Sequence, residues 1–468
     1  MNETKQRYKY VLADAIAALV AWSLFYAFRR MEIDDLQMGF HLINPQYNAR
    51  IVLPLIPLFW FAIHWLSGYY NRKVLVFRSR LNELITTFVV TFLGVLLLFF
   101  SIVLDDPINE VGFSYFYVSF LLLFCLQFGF TYAFRLLITS FTIRKIRQGT
   151  ITQPTLVVGV GKMAQQIRAE ESKLRYSGHH VLGYVKVAEE DECSIMESAC
   201  VGKWEDLNEL VEQMQVSVII IADEKVRPIE VYKLIATFRY RTLTIKVMPK
   251  QYDWLKGSVE LNHVHGIPLV DITTCHMPAW QRNVKRVFDV VFSTIALLLT
   301  FPMMALLCIG IGKKPLFKQE RIGQRGRPFT IYKLRSMRLD AEKDGPQLSS
   351  ETDARITPIG RFMRKYRIDE LPQFYNVLKG DMSVVGPRPE RAFYIEKIAQ
   401  QAPYYYLLSK IRPGITSLGM VKYGYANTIE KMLERVNYEL LYLDKMSLVF
   451  DIKILIYTIR TIFMGKGM

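Results

Sequence analysis

Apolar residues fall in blocks along this chain. Residues 51–71, 84–104 and 111–134 carry no formal charge, and the run 10–28 is broken only by Asp14. Each is long enough to cross a hydrocarbon core of about 30 Å as a helix. Four such runs within 135 residues leave little polar surface to enclose them, which disfavours the rival reading of buried helices in a soluble core. Four transmembrane helices are therefore predicted within residues 1–148.

The flanking charges orient them. Lys5, Arg7 and Lys9 precede the first run; Arg72, Lys73, Arg78 and Arg80 lie between the second and third; Arg135, Arg144, Lys145 and Arg147 follow the fourth. The third and fourth runs are joined by a stretch holding Asp105, Asp106 and Glu110 and no cation. Positive charge is retained on the cytoplasmic side, so both ends of the bundle are expected there. Arg29, Arg30 and Arg50 after the first run work against this orientation. Arg29-Arg30 follows without a small-residue cleavage site, so the first run is read as an anchor.

The pattern then changes to that of a soluble α/β domain. Thr155-Leu156-Val157-Val158 reads as a strand and runs into Gly159-Val160-Gly161-Lys162-Met163-Ala164 and a helical pattern. That is G-x-G-x-x-A between strand and helix, the setting of a dinucleotide fingerprint. Further strands are read at 180–185, 216–221 and 245–248, with a helix over 204–214. A Rossmann-like domain over 149–255 follows. Its second strand ends Tyr184-Val185-Lys186, with no acid at the tip to hold a ribose, so no bound dinucleotide is expected.

A fifth uncharged run, 290–312, has Lys285 and Arg286 before it and Lys313 and Lys314 after it, with Pro302 near its middle. Symmetric charge gives no drive to cross, and an internal proline removes a helix hydrogen bond and favours a kink. A re-entrant helix over 284–312 is expected, dipping in and returning to the same face. The rival, a straight fifth span, would place the rest of the chain outside.

Composition sharpens this picture. The chain has 468 residues, 51% of them hydrophobic, with 59 Lys/Arg against 43 Asp/Glu and a net charge of +16; mean hydropathy is +0.15. Such a chain is too apolar for disorder. A basic, oily protein could bind nucleic acid or sit in a membrane, but no recognition motif for nucleic acid occurs. Residues 313–391 hold 18 Lys/Arg against 10 Asp/Glu, half the whole excess. That surface would be drawn to anionic lipid and would gather phosphorylated substrates. Five cysteines without ligand spacing fit reduced thiols. His263 and His265 alternate as ordinary strand residues.

The densest chemistry lies at 361–373. Arg361, Arg364, Lys365 and Arg367 crowd the adjacent Asp369 and Glu370, with Pro372 just after and Gly380 as a helix stop. This places the two acids at a helix N-terminus, where backbone N–H groups favour anions. A carboxylate can attack phosphorus only if cations neutralise the target, usually with a divalent metal. One acid could be the nucleophile and its neighbour a Mg²⁺ ligand. The alternative for these residues alone is a solvated, ion-paired surface.

Other segments add weight: Lys333-Leu334-Arg335-Ser336-Met337, Asn376-Val377-Leu378-Lys379-Gly380-Asp381-Met382-Ser383, Gly386-Pro387-Arg388-Pro389 and Arg412-Pro413-Gly414-Ile415-Thr416. In this order they resemble the bacterial polyprenyl-phosphate hexose-1-phosphate transferases, or bacterial sugar transferases. The resemblance extends over the whole layout of the larger undecaprenyl-phosphate glucose or galactose phosphotransferases. It implies a multidomain membrane protein: a four-helix transmembrane bundle (1–148), a Rossmann-like α/β domain (149–255), a linker (256–283) and an α-rich, membrane-associated catalytic domain (284–468) opening on a re-entrant helix. It implies ping-pong transfer of a sugar 1-phosphate from a UDP-sugar to undecaprenyl phosphate, releasing UMP, at the cytoplasmic face of a bacterial inner membrane. Asp369 then matches the nucleophile and Glu370 the Mg²⁺ ligand. Arg364 and Arg388 match phosphate-binding arginines, with Lys333, Arg335 and Arg367 beside them. Lys285, Arg286 and Asp289 match the start of the re-entrant helix. A homodimer through the Rossmann-like domain is a further expectation.

Two departures stand out. The helix-breaking Ser-Pro of the family is Phe301-Pro302 here. After Thr416 the family's Gly-Trp-Ala-Gln-Val-Asn-Gly is replaced by Ser417-Leu418-Gly419-Met420-Val421-Lys422-Tyr423. At the C-terminus, 448–464 is apolar but holds Asp451, Lys453 and Arg460; it reads as an interfacial helix, with a core helix as the rival. Residues 340–357 read as a mobile polar loop near the site. Competing functions are a sugar-nucleotide oxidoreductase using the 155–165 fingerprint and a nucleotide-sensing scaffold without turnover.

Overall fold

The computed structural model describes residues 3–34, 45–71, 80–103, 108–176, 178–187, 197–238, 243–249, 269–272, 277–341, 345, 347, 353–424 and 426–464. His263, His265, Cys193, Cys275 and most of the 256–283 segment lie outside them. The chain forms two compact units. One takes in Met1–Thr152 and Ser172–His179, the other Gln153–Glu171 and His180–Met468.

The first unit is helical: α1 (Glu3–Asp34), α2 (Pro45–Leu66), α3 (Arg80–Leu98) and α4 (Ile108–Arg147). The stretches Thr4–Arg29, Arg80–Ser101 and Phe113–Arg147 are long and apolar enough to cross a membrane, and the second predicted span holds a shorter apolar stretch, Leu53–Leu66. Helix α4 packs against both α1 and α3, and α2 lies against α1. One part of the interior is apolar, built from Trp22, Phe25, Ile56, Trp60, Val95, Leu98 and Leu123. Another part is polar. Arg135, fully buried, donates Nε and Nη2 to the two oxygens of Asp14 at 2.7 Å each and Nη1 to Thr87 Oγ1 at 3.1 Å. Its guanidinium lies 3.6 Å from the centre of the Tyr69 ring. Tyr70 donates to Asp14 at 2.7 Å and Tyr69 to Glu83 at 2.6 Å. This corrects the reading of Arg135 as a flanking charge: α4 continues to Arg147, and Arg135 is the counter-ion that lets Asp14 sit inside an apolar run. A charge at membrane depth persists only when paired in this way.

The second unit opens on a six-stranded sheet in the order β3-β2-β1-β4-β5-β6. Its strands are β1 (Gln153–Val158), β2 (His179–Lys186), β3 (Cys200–Lys203), β4 (Val218–Ile221), β5 (Thr244–Val247) and β6 (Val270–Asp271). Strand β4 pairs in parallel with β1 and β5, β2 pairs in parallel with β3, and β6 joins β5 antiparallel. The order matches a Rossmann-like half with its crossovers. Helices α5 (Lys162–Ala169), α6 (Leu207–Gln213) and α7 (Pro228–Thr237) accompany it. The segment read as a linker thus contributes an edge strand, too short at two residues for periodicity to reveal. Helix α5 starts directly after Gly161, as the fingerprint requires.

The rest of the unit is built on a 33-residue helix, α8 (Ala279–Ile311), which continues without interruption through Pro302. The proline is accommodated inside the helix. Just before the proline, Thr300 Oγ1 donates to Ala296 O at 2.7 Å, a back-bond that favours bending. The first half of α8 is locked to the domain. Lys285 Nζ donates to Val385 O and Asp451, and Asp289 accepts from Ser383 Oγ and Val384 N. Arg286 bonds the carbonyls of Val377 and Leu378 at the end of the helix that follows the dyad, favourable for a cation at a C-terminus. The second half is apolar and exposed, with Leu298, Leu299, Leu306 and Ile309 each at 70% or more.

After α8 come the antiparallel hairpin β7 (Leu316–Ile322) and β8 (Pro328–Leu334), α9 (Pro358–Lys365), α10 (Gln373–Lys379), β9 (Ser383–Val385), α11 (Ala392–Gln401), β10 (Gly414–Thr416), α12 (Leu418–Lys422), α13 (Ile429–Lys445) and α14 (Leu448–Phe463). Helix α14 combines both readings of its sequence. Asp451 and Ile454 are buried, while Val449, Ile452, Ile456 and Phe463 are exposed.

Candidate active site

Three local devices bring the cations to the acids. Thr357 caps α9, accepting from Gly360 N at 3.0 Å, and Gly360 lies so close to the backbone of Ser336 that a Cβ there would meet its carbonyl oxygen at 1.9 Å. Helix α9 is thereby pressed against the end of β8, and Arg364 Nε reaches Ser336 Oγ at 2.9 Å. Second, Arg367 holds a left-handed backbone, φ 54°, directly before the 3₁₀ turn Ile368–Glu370. This conformation is unfavourable for a side chain with a Cβ, and it turns the chain so that both acids face inward. Helix α10 then starts at Gln373, one residue after Pro372. Third, Gly414 touches Gly386 across the parallel pair β9–β10, leaving no room for a Cβ. This fixes the Gly386-Pro387-Arg388 turn.

The result is a pocket of about 220 Å³ whose walls include Lys333, Arg335, Arg364, Arg367, Asp369, Glu370 and Arg388. Lys333 Nζ donates to Glu370 Oε1 at 2.8 Å. Arg388 Nη1 stands 3.6 Å from Oε1 and Arg367 Nη1 3.7 Å from Oε2. Both guanidinium groups also meet the Met420 sulfur, at 3.1 Å from Arg388 and 3.8 Å from Arg367. Arg335 lines the pocket, but its Nε donates to Lys314 O at 2.8 Å and its guanidinium lies over Phe317; it braces the start of the hairpin and does not touch the acids. The described part of the 340–357 loop reaches the same pocket. Arg355 bonds Asp353, Ala341 O and Gln347 there.

The two acids differ electrostatically. Burial alone would raise Glu370, but Lys333, Arg388 and Arg367 outweigh it and hold its carboxyl well below the usual range. Asp369 is pushed up, by burial first and by the Glu370 charge next door, against the pull of Lys333. Adjacent carboxyls driven apart in this way suit different tasks. Glu370 Oε2 is buried and accepts no hydrogen bond. Among the described residues no three metal-binding side chains come together, so a divalent ion here would need oxygens from a ligand as well.

Periodicity and motif spacing did not reveal the rear of the pocket. Glu390 accepts from Arg435 at 2.6 Å and lies 3.2 Å from Arg321; these three come from β7, the segment before α11, and α13. The one local signal was the position of Glu390 directly after Gly386-Pro387-Arg388-Pro389.

Sequence comparison places this geometry. The bacterial sugar transferase family matches residues 280–465 and a CoA-binding domain family matches 66–249. A UDP-glucose:undecaprenyl-phosphate glucose-1-phosphate transferase of Caulobacter vibrioides is 38% identical over 186 residues, 38% of this chain and 69% of the relative. This chain belongs to the bacterial sugar transferase family. A UDP-N-acetylgalactosamine-undecaprenyl-phosphate N-acetylgalactosaminephosphotransferase of Aeromonas hydrophila is 37% identical over 217 residues, 46% of this chain and 51% of the relative. A UDP-glucose:undecaprenyl-phosphate glucose-1-phosphate transferase of Escherichia coli is 33% identical over 273 residues, 56% of this chain and 58% of the relative. The matched segments span a little over half the length of these last two relatives. All the pocket residues named above fall inside the family match.

Proposed function

We propose that this family member is a membrane phosphoglycosyl transferase that moves a sugar 1-phosphate from a UDP-sugar to undecaprenyl phosphate and releases UMP. The observation that carries the reading is the buried Asp369–Glu370 pair enclosed by Lys333, Arg364, Arg367 and Arg388. Cations gathered around two acids on the wall of a pocket can take up the charge of an entering phosphate.

In the first half-reaction an Asp369 oxygen attacks the sugar-bearing phosphorus. The bond from that phosphorus to the bridging oxygen breaks, and UMP leaves with the electron pair. Arg364 and Arg388 are placed to take up the charge on the phosphoryl oxygens, and Lys333 keeps Glu370 ionised and oriented. In the second half-reaction an oxygen of the lipid phosphate attacks the same phosphorus and frees the Asp369 carboxylate, leaving a sugar diphospholipid. Each displacement is in line, so the lipid phosphate takes the position that the UMP phosphate vacated.

A Mg²⁺ ion fits the donor set: hard carboxylate oxygens, one of them the unbonded Glu370 Oε2, with diphosphate oxygens to complete the shell. Glu370 would hold it, and when bound it would neutralise the diphosphate.

The re-entrant reading of α8 has support in the chain path. Its first half is held by Val385 and Asp451, and only residues 312–315 separate its end from β7, whose partner β8 packs on α10. Four residues reach about 14 Å, too little to bring the chain back across a bilayer. We propose on this ground that both ends of the helix belong to one face, the cytoplasmic one by the charge pattern; by length and composition alone α8 could also cross.

The test is a screen of UDP-sugars with undecaprenyl phosphate and Mg²⁺ in membranes carrying the full chain. UMP release with at least one donor, abolished by a chelator and by Asp369→Asn, is the expected result. Failure of every common UDP-sugar would overturn the proposal.

A further inference from the structure

The walls of the pocket differ on the two sides of the acids. On the Asp369 side, Arg364 leads through Ser336 to Met337, Arg338 and Leu339. That end carries exposed apolar surface: Leu339 is 61% exposed, and Ile359 and Phe362, on the same helix as Arg364, are exposed too. On the Glu370 side, Arg388 and Arg367 lead to Met420, and the wall continues with Tyr394, Ala426 and Met432. These four are each less than a tenth exposed. They form a buried apolar face of the pocket wall, which also carries Arg391 and the Arg435–Glu390 pair.

We infer that this Tyr394–Met420–Ala426–Met432 face seats the base of the nucleotide donor, and that the Leu339 end admits the lipid acceptor. The inference rests on the phosphosugar-transfer reading and adds direction to it. A nucleobase is small and flat, with apolar faces and polar edges. A buried wall of thioethers and one phenol ring suits its faces, and flanking guanidinium and carboxylate groups suit its edges. A polyprenyl chain needs an opening bordered by exposed apolar surface, which only the Leu339 side provides among the described lining residues. The two ends meet at the shared phosphate position beside Asp369. Met420 has a second effect. A thioether is a weak acceptor, so its contacts at 3.1 Å with Arg388 and 3.8 Å with Arg367 join the apolar wall to the phosphate-facing cations.

Two measurements on the full chain in membranes test this. Wild-type protein is irradiated with 5-azido-UMP and the labelled peptide identified; label in 391–394 or 420–432 is expected, and label confined to 337–341 overturns the assignment. In parallel, Ala426→Leu, which fills the wall, is expected to raise donor KM and the inhibition constant of UMP together by about tenfold or more, with acceptor KM within about twofold of wild type. Leu339→Asp is expected to do the reverse. If Ala426→Leu raises acceptor KM and leaves donor KM unchanged, the direction is wrong. If wild-type protein takes label at 391–394 or 420–432 yet releases UMP from no donor, the wall stands and the phosphosugar-transfer reading falls. If it releases UMP but labels only at 337–341, the reverse holds.

Discussion

Two regions of this molecule bury arginine against carboxylate, and they do it differently. In the helical bundle, Arg135 meets Asp14 through two bonds of 2.7 Å, gives a third to Thr87 and lies on the Tyr69 ring. There the guanidinium is bonded directly to fixed partners within the bundle, beside a Glu83 Oε2 that, like Glu370 Oε2, accepts no hydrogen bond. In the pocket, Arg388 and Arg367 stand off from Glu370 by 3.6 and 3.7 Å, rest against a sulfur, and leave one Glu370 oxygen without a hydrogen bond. The contact in the bundle is direct and bidentate, whereas in the pocket the cations stand off from the carboxylate on the wall of a cavity that a ligand can enter. The same residue types thus serve assembly in one place and chemistry in the other.

The sharpest way to break this contrast is to delete the central cation of each cluster. Arg135→Leu leaves Asp14 and Glu83 buried without their cation, a loss on the order of 3–5 kcal/mol. Little folded bundle should survive in detergent, as read by protease resistance, and the double variant Arg135→Leu/Asp14→Leu should recover part of it. Arg388→Ala should leave the thermal unfolding midpoint within a few degrees of wild type while lowering kcat/KM by about 10- to 100-fold, or roughly 1.4–2.7 kcal/mol. Equal loss of fold in both variants would erase the distinction.

A smaller effect sharpens it further. Glu439 lies behind the pocket, accepting from Ser417 Oγ at 2.6 Å. Burial, only partly offset by Ser417 and Arg435, pushes its carboxyl up to about 7 from 4.5. Between those values the folded protein holds a proton that the unfolded chain has lost, so this group stabilises fully below about pH 4.5 and its contribution fades as pH rises toward 7. The unfolding midpoint should therefore fall between pH 5 and 7, and Glu439→Gln should flatten that fall.

How much of this was legible in the sequence follows the range of the interactions. The apolar runs, the strand–Gly–helix passage at 155–164 and the acid pair among arginines are local patterns, and they appear where expected. The pairing of Asp14 with Arg135, 121 residues apart, is not local, so Arg135 read as a flanking charge. The same is true of Arg321, Glu390 and Arg435, which only the folding of three segments brings together. Strand β6 is two residues long and owes its existence to the edge of β5. Helix α8 runs on past Pro302 because a proline inside a helix removes one hydrogen bond without necessarily ending the helix.

The central claim is that Asp369 takes the phosphosugar. It is tested most directly by mixing the protein in membranes with a UDP-sugar labelled in the sugar-bearing phosphate, quenching before acceptor is added, and locating the label by peptide mass. The account predicts a phosphosugar on the peptide containing Asp369, discharged by undecaprenyl phosphate and absent from Asp369→Asn. Transfer to the lipid with no label on that peptide at any time would contradict it.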